Sequence, residues 1–287
     1  LVVMVAESAD STAQSVPEVP PEFLEVTDGT PSDAAIQQQQ DEIRKAEAER
    51  SPLIADRQPL SALEEEYAGG SEVFRAKIGR LAESYTSIRR IRGDGNCFFR
   101  GFLVALLEGL LTRRDRTKVA AVKATIEAQK DKLIAQGYQA LVFEDALEML
   151  VGELDAVGLA EPLPLTYLIE RLRNEETGNY IIMFLRMIAA AEIKMRVDFF
   201  APFVLGLTDL SIDEFCASNV ECMFEESDHI VVQALTDALK IPIRVVYLDG
   251  SLMGGSPDEV VNHEIVPEGC QPNPELTLLF RPGHYDI

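Results

Sequence analysis

Helical periodicity runs through this chain from about residue 59 to about residue 240, and strand signals come only after it. The stretch "SEVFRAKIGRLAESY" sets Val73, Phe74, Ile78, Leu81 and Tyr85 at helical spacing, and further helices are expected over 102–111, 118–136, 143–154 and 180–200. The last of these is long and apolar over much of its circumference, which places it at the centre of the fold. Ser61 with Glu64, and Ser211 with Glu214, have the spacing of capping boxes. The strand signals, "IPIRVVYL" (241–248) and "ELTLLF" (275–280), are short, rich in β-branched and aromatic residues, and bounded by Gly, Pro and Asn. "DGSLMGGSPDE" between them reads as a loop. Helices first and strands last define an α+β chain, with neither a doubly wound pattern nor an internal repeat.

Hydrophobic residues make up 47% of the 287, enough for one domain with a real core. The expected domain spans 59–287. Residues 1–31 form an acidic tail with too few large apolar groups to repay the entropy of ordering, so it is expected to be disordered. Residues 32–58 have helix-forming composition, with Ile36 and Ile43 as a thin apolar stripe, and are read as a helical arm. That arm either docks onto the domain or a partner, or is a half-formed solvated helix.

The formal charge of −22 opposes nucleic-acid binding, which needs a basic face, and favours a partner with basic patches. No apolar run reaches the ~20 residues of a membrane span. "LVVMVA" at the start is too short for a signal-peptide core and lacks a basic flank. Four cysteines without a CxxC pair argue for a reducing compartment, and against structural zinc. A soluble protein of the cytoplasm or nucleus, working without metal or cofactor, is expected.

The chemistry concentrates in "RGDGNCFFRGF" (92–102). Glycines on either side of Asp94 let the backbone turn tightly and direct N–H groups toward one point. Cys97 falls at the first turn of the helix that follows, where an anion is stabilised and a thiol becomes a nucleophile more readily. The same N–H groups can hold a tetrahedral oxyanion. Taken alone, a cysteine here reads first as a buried structural thiol. Phe98, Phe99 and Phe102 read as core that fixes its helix.

The other end of the chain changes that balance. "LTLLFRPGHYDI" runs a strand into Pro282-Gly283 and then His284-Tyr285-Asp286. If the segment after Gly283 is extended, His284 and Asp286 share one face, and the carboxylate can orient the imidazole. A thiol, an imidazole and an orienting carboxylate make a thiol-hydrolase triad. His229, at the start of "HIVVQALTDALK", reads as a neutral surface hydrogen-bonder or as part of a binding face. His263, Cys216, Cys222 and Cys270 carry no comparable pattern, and structural or incidental roles are expected for them.

"DGNCFFRGF" with "RPGHYDI" resembles the otubain family of ovarian-tumour (OTU) deubiquitinating cysteine proteases. "SPLIADRQPLSALEEEYAG" (51–69), "YIIMFLRMIAAAEIKMRVDFFAPFV" (180–204) and "ESDHIVVQAL" (226–235) are similar to the family's intervening segments, in the same order. The resemblance covers residues 31–287. It implies a papain-like OTU fold, a small β-sheet flanked by helical subdomains. It also implies Cys97 as nucleophile, His284 as general base and later acid, Asp286 as the orienting carboxylate, and Asp94 in the oxyanion loop. Gly93 stands where family members usually carry proline. The resemblance further places His229 and Phe203 on the surface that receives ubiquitin. Tyr285, next to the base, is the expected wall of a channel narrow enough for a glycine-ended tail. Ubiquitin and polyubiquitin chains are the implied partners, and isopeptide hydrolysis the implied activity. The alternative is an adapter that inhibits ubiquitin-conjugating enzymes through the 32–58 arm.

Overall fold

The computed structural model describes residues 51–161, 163–250 and 259–287. The acidic tail, the arm up to residue 50 and the 251–258 part of the expected loop lie outside the described residues.

The first element is a strand, β1 (Ile54–Pro59), where the helical arm was expected to continue to residue 58. It pairs antiparallel with β2 (Ser87–Ile91), with a register shift between Ile54 and Arg57. Helices α1 (Ser61–Glu66) and α2 (Glu72–Ala82) lie between these strands in sequence. Ser61 is the first residue of α1 and not its cap, so that capping box does not form. Helix α3 (Cys97–Arg113) starts at the cysteine itself, five residues before the helix expected over 102–111, and Arg114 in a left-handed conformation ends it. The helix expected over 118–136 is two, α4 (Arg116–Glu127) and α5 (Gln129–Ala135). Next come α6 (Ala140–Val157) and α7 (Leu165–Arg173).

The long apolar segment is also divided, into α8 (Glu175–Met195) and α9 (Val197–Leu207). The break is Arg196, at φ −116° and ψ 45°. Its guanidinium bonds Asp237 at 2.6 Å and stacks on the Phe199 ring at 4.5 Å. Apolar periodicity continues across the break because both helices bury residues, so the sequence pattern does not register it. The second capping box does form, at Ser211 and Glu214, and opens the one-turn helix α10 (Ile212–Phe215). A π-turn over Cys216–Val220 leads to α11 (His229–Leu239).

The main sheet has the order β4-β3-β5-β6, from β3 (Ile243–Tyr247), β4 (Val261–Ile265), β5 (Leu276–Arg281) and β6 (His284–Asp286). β3 and β5 run parallel and the other pairs antiparallel. Reciprocal backbone bonds between Arg89 and Ile287 join β2 to the end of β6. Alternation along the strands supplies two cores. Ile243, Val245 and Leu278 face the large cluster built on α3, α6, α8 and α11. Val246 and Leu279 face a smaller one with Leu60, Leu63, Ile78 and Leu81 of the α1–α2 layer. The nucleophile's helix is therefore clamped against the strands that carry the imidazole, and α3 is buried on nearly every side.

Candidate active site

Cys97 opens α3 and is buried, 4% exposed. The loop before it is shaped by buried polar contacts. The Asp94 carboxylate accepts from the Asn96 N–H at 3.0 Å and from the Arg100 guanidinium at 2.7 Å. Asp94 is thus a loop-shaping residue whose carboxylate is already engaged. With the Asn96 N–H taken, the Asp94, Gly95 and Cys97 N–H groups have no acceptor among the described residues and are available to an oxyanion.

Gly95 has φ +76°, and a Cβ there would meet the Phe224 carbonyl oxygen at 2.0 Å, so only glycine fits. Asn96 occupies the N-cap position of α3 but does not cap it. Its Oδ1 accepts instead from Arg186 Nε (3.0 Å), Arg186 Nη2 (2.8 Å) and the Phe224 N–H (3.1 Å).

The hairpin β5–β6 brings the imidazole to this loop. Arg281 pairs with His284 across a turn in which Gly283 has φ +74°. His284 and Asp286 point the same way along β6, and Nε2 lies 2.9 Å from Asp286 Oδ1. The other ring nitrogen, Nδ1, faces Gly93, where a Cβ would sit 3.5 Å away, and the ring also hydrogen-bonds Cys97. Burial alone would lower the His284 pKa. The hydrogen bonds and charges of Asp286 and Cys97 outweigh it, and raise His284 to about 9. The imidazole is therefore protonated at neutral pH and stands beside Cys97 as a proton donor.

Asp286 is fully buried, which by itself would raise its pKa. Bonds from His284, Arg281 and the Ile91 N–H prevail and hold it below the usual carboxylate range. Its Oδ1 also accepts from the Ile91 N–H at 2.9 Å, and Oδ2 from Arg281 at 2.6 Å and Arg90 at 3.3 Å. Glu66 in turn holds both arginines. These supports were not read from the sequence. A lone arginine inside an apolar helix or strand, as in "NCFFRGF" and "MFLRMIAAA", is the signal that could have found Arg100 and Arg186.

The remaining candidates divide. Phe203, on α9, is 48% exposed, and His229, the first residue of α11, is exposed, on helices that pack together. Tyr285 differs from the expected open wall. Its ring is 6% exposed and packs between Phe98 (5.4 Å) and Phe280 (5.1 Å), bracing β6 against α3. Cys216 is buried, and burial pushes its thiol up to about 12, as suits a structural residue. Among the described residues no cluster of three or more His, Cys, Asp or Glu side chains could hold a metal ion, and no helix is long and apolar enough to cross a membrane.

A thiol, an imidazole and a buried carboxylate in this order of contact, beside a loop of free N–H groups, define a cysteine-peptidase site on an α+β fold. The chain belongs to the otubain family: the Peptidase C65 Otubain model matches residues 46–287. It is 42% identical over 257 residues to the OVARIAN TUMOR DOMAIN-containing deubiquitinating enzyme 1 of Arabidopsis thaliana, covering 86% of this chain and 84% of that protein. It is 35% identical over 255 residues to the human ubiquitin thioesterase OTUB1, covering 89% of each. The solved complex of h/ceOTUB1 with ubiquitin aldehyde and UBCH5B~Ub matches with a TM-score of 0.79 at 32% identity, over 89% of this chain and 96% of that one.

Proposed function

We propose that this otubain hydrolyses isopeptide bonds of polyubiquitin through a ubiquitin thioester on Cys97. The observation that carries the reading is the buried Asp286–His284 pair beside Cys97, at the mouth of a loop with free N–H groups. The Cys97 thiolate attacks the carbonyl carbon of ubiquitin's terminal glycine, and the oxygen takes the charge facing the Gly95 and Cys97 N–H groups. The His284 imidazolium gives its proton to the departing lysine amine as the C–N bond breaks. Neutral His284 then takes a proton from water, which attacks the thioester and frees Cys97. Asp286 holds the ring orientation throughout, and Asp94 acts through the loop it shapes.

A second reading, an adapter for ubiquitin-conjugating enzymes using the 32–58 arm, draws support from relatives solved in complexes with UBCH5B~Ub and UBC13~Ub. A pure adapter has no chemical need for an assembled triad, which favours catalysis. The test is labelling of wild type and Cys97→Ala with a ubiquitin probe carrying a thiol-reactive C-terminal group, followed by a panel of diubiquitins. A Cys97-dependent adduct with cleavage is expected. A folded protein that gives neither adduct nor cleavage would overturn the proposal in favour of the adapter.

A further inference from the structure

Arg186, midway along α8, is fully buried, and among the described residues it has no carboxylate within ion-pair distance. Its five hydrogen bonds go to neutral oxygens. Two go to Asn96 Oδ1 (3.0 and 2.8 Å), and one each to the carbonyls of Gly95 (3.0 Å), Val220 (3.0 Å) and Glu225 (2.6 Å). The guanidinium also lies 4.7 Å from the ring centroid of Phe99, two residues into the nucleophile's helix. A buried cation without a counter-charge is costly, and shape alone could be filled more cheaply by an apolar side chain.

The bonding pattern indicates what this cation does. Gly95 C=O and Asn96 N–H belong to one planar peptide unit, with oxygen and hydrogen on opposite edges. Arg186 holds the oxygen edge, and Asp94, itself held by Arg100, holds the hydrogen edge. The peptide cannot rotate without breaking both contacts. The N–H groups on either side of it, those of Gly95 and Cys97, have no acceptor among the described residues. Through Val220 and Glu225 the same guanidinium ties this loop to the segment whose Phe224 covers Gly95.

We infer that Arg186 is a positioning residue for the reaction, locking the Gly95–Asn96 peptide so that the flanking N–H groups face the developing oxyanion. This rests on Cys97 being the nucleophile. Its specific consequence is that removing the guanidinium lowers binding of the tetrahedral state, and leaves substrate binding and thiol access intact.

The test uses the full chain with Arg186→Lys and Arg186→Gln. Five quantities are measured: diubiquitin kcat and KM, affinity for ubiquitin aldehyde, alkylation of Cys97 by iodoacetamide, and diubiquitin affinity in a Cys97→Ala background. We expect kcat and aldehyde affinity to fall about 100-fold, the size of effect of losing an oxyanion donor. KM, alkylation rate and Cys97→Ala affinity should stay within about threefold of wild type, the pattern of an interaction made only in the transition state. A kcat near wild type would overturn the inference, as would alkylation and substrate affinity falling in step with kcat. If neither Arg186 variant folds, Asn96→Ala decides, because it removes the acceptor of two of the five bonds. The same split supports the inference and an unchanged kcat overturns it. Persistent cleavage by Cys97→Ala would instead show that the nucleophile was wrongly assigned.

Discussion

The Phe224 carbonyl lies directly over Gly95, so close that a Cβ on Gly95 would sit 2.0 Å from its oxygen. Both residues have positive φ, +76° for Gly95 and +70° for Phe224, so two left-handed turns face each other beside the nucleophile. Gly95→Ala must displace one of them. The left-handed conformation alone costs a residue with a side chain ~1–2 kcal/mol, and the clash adds to it. We expect a destabilised protein whose kcat falls roughly 100-fold, because the N–H groups flanking the displaced peptide lose their aim. Melting temperature and diubiquitin cleavage measured together check this.

Arg281 is the nearest cation to the buried Asp286 carboxylate, at 2.6 Å. Arg281→Met leaves that carboxylate with Arg90, the Ile91 N–H and His284, and breaking a buried pair from one side costs roughly 3 kcal/mol. The deficit should be largest at neutral pH. It should shrink as acid protonates Asp286, since a neutral carboxyl no longer needs the cation. Urea denaturation at pH 7 and at about pH 3, below the usual carboxylate range, tests this, and a deficit independent of pH would sink the idea.

What the sequence revealed was local. Cys97 at a helix start follows from the Gly-Asp-Gly-Asn run before it, and the His284–Asp286 pairing follows from two-residue alternation in a strand. What it concealed was tertiary. β1 and β2 contain Asp56, Arg57, Arg89 and Arg90, so they carry no clean apolar alternation, and they become strands because each supplies the other's hydrogen bonds. The Arg196 break is hidden by continuous apolar periodicity. Arg100, Arg186 and Arg281 look like solvent-facing charges until the fold surrounds them with carbonyls and carboxylates. Tyr285 looked like a channel wall because its neighbour is the base, and alternation turned its ring to the opposite face, against Phe98.

The raised pKa of His284 makes a prediction about pH. The folded value is about 9, above the ordinary ~6.5 of an unfolded chain, so the folded state holds the proton more tightly. The stability it contributes is fully present below pH ~6.5 and is lost as pH rises toward 9, by an amount on the order of 3 kcal/mol. Asp286→Asn removes the main support for the imidazolium, so the stability difference between variant and wild type should narrow across that window. The kcat/KM profile should fall above about pH 9 in the wild type, as the imidazolium that protonates the leaving amine disappears, and at lower pH in the variant. NMR titration of the His284 ring protons checks the assignment directly. A midpoint near 6.5 in the resting protein would refute it.

On α9, Phe199, Phe203 and Leu207 follow one another four residues apart on one face and are each at least 44% exposed, an apolar stripe that a folded domain rarely leaves uncovered without use. Phe203 is the middle residue of this stripe, and His229 begins the helix packed beside it. If this face receives ubiquitin, Phe203→Ser removes an aromatic anchor and costs ~1–2 kcal/mol of binding, seen as a roughly tenfold higher KM. His229→Ala should act in the same direction with a smaller effect, because its ring is polar. Neither change reaches the triad, so kcat should stay within about twofold, the signature of lost uniform binding. Stability should not fall, since neither side chain is buried, and the Phe203 change should improve solubility. Steady-state kinetics on diubiquitin with both variants make the comparison. A drop in kcat at constant KM would assign these residues to the chemistry, and the surface that holds ubiquitin would have to lie elsewhere.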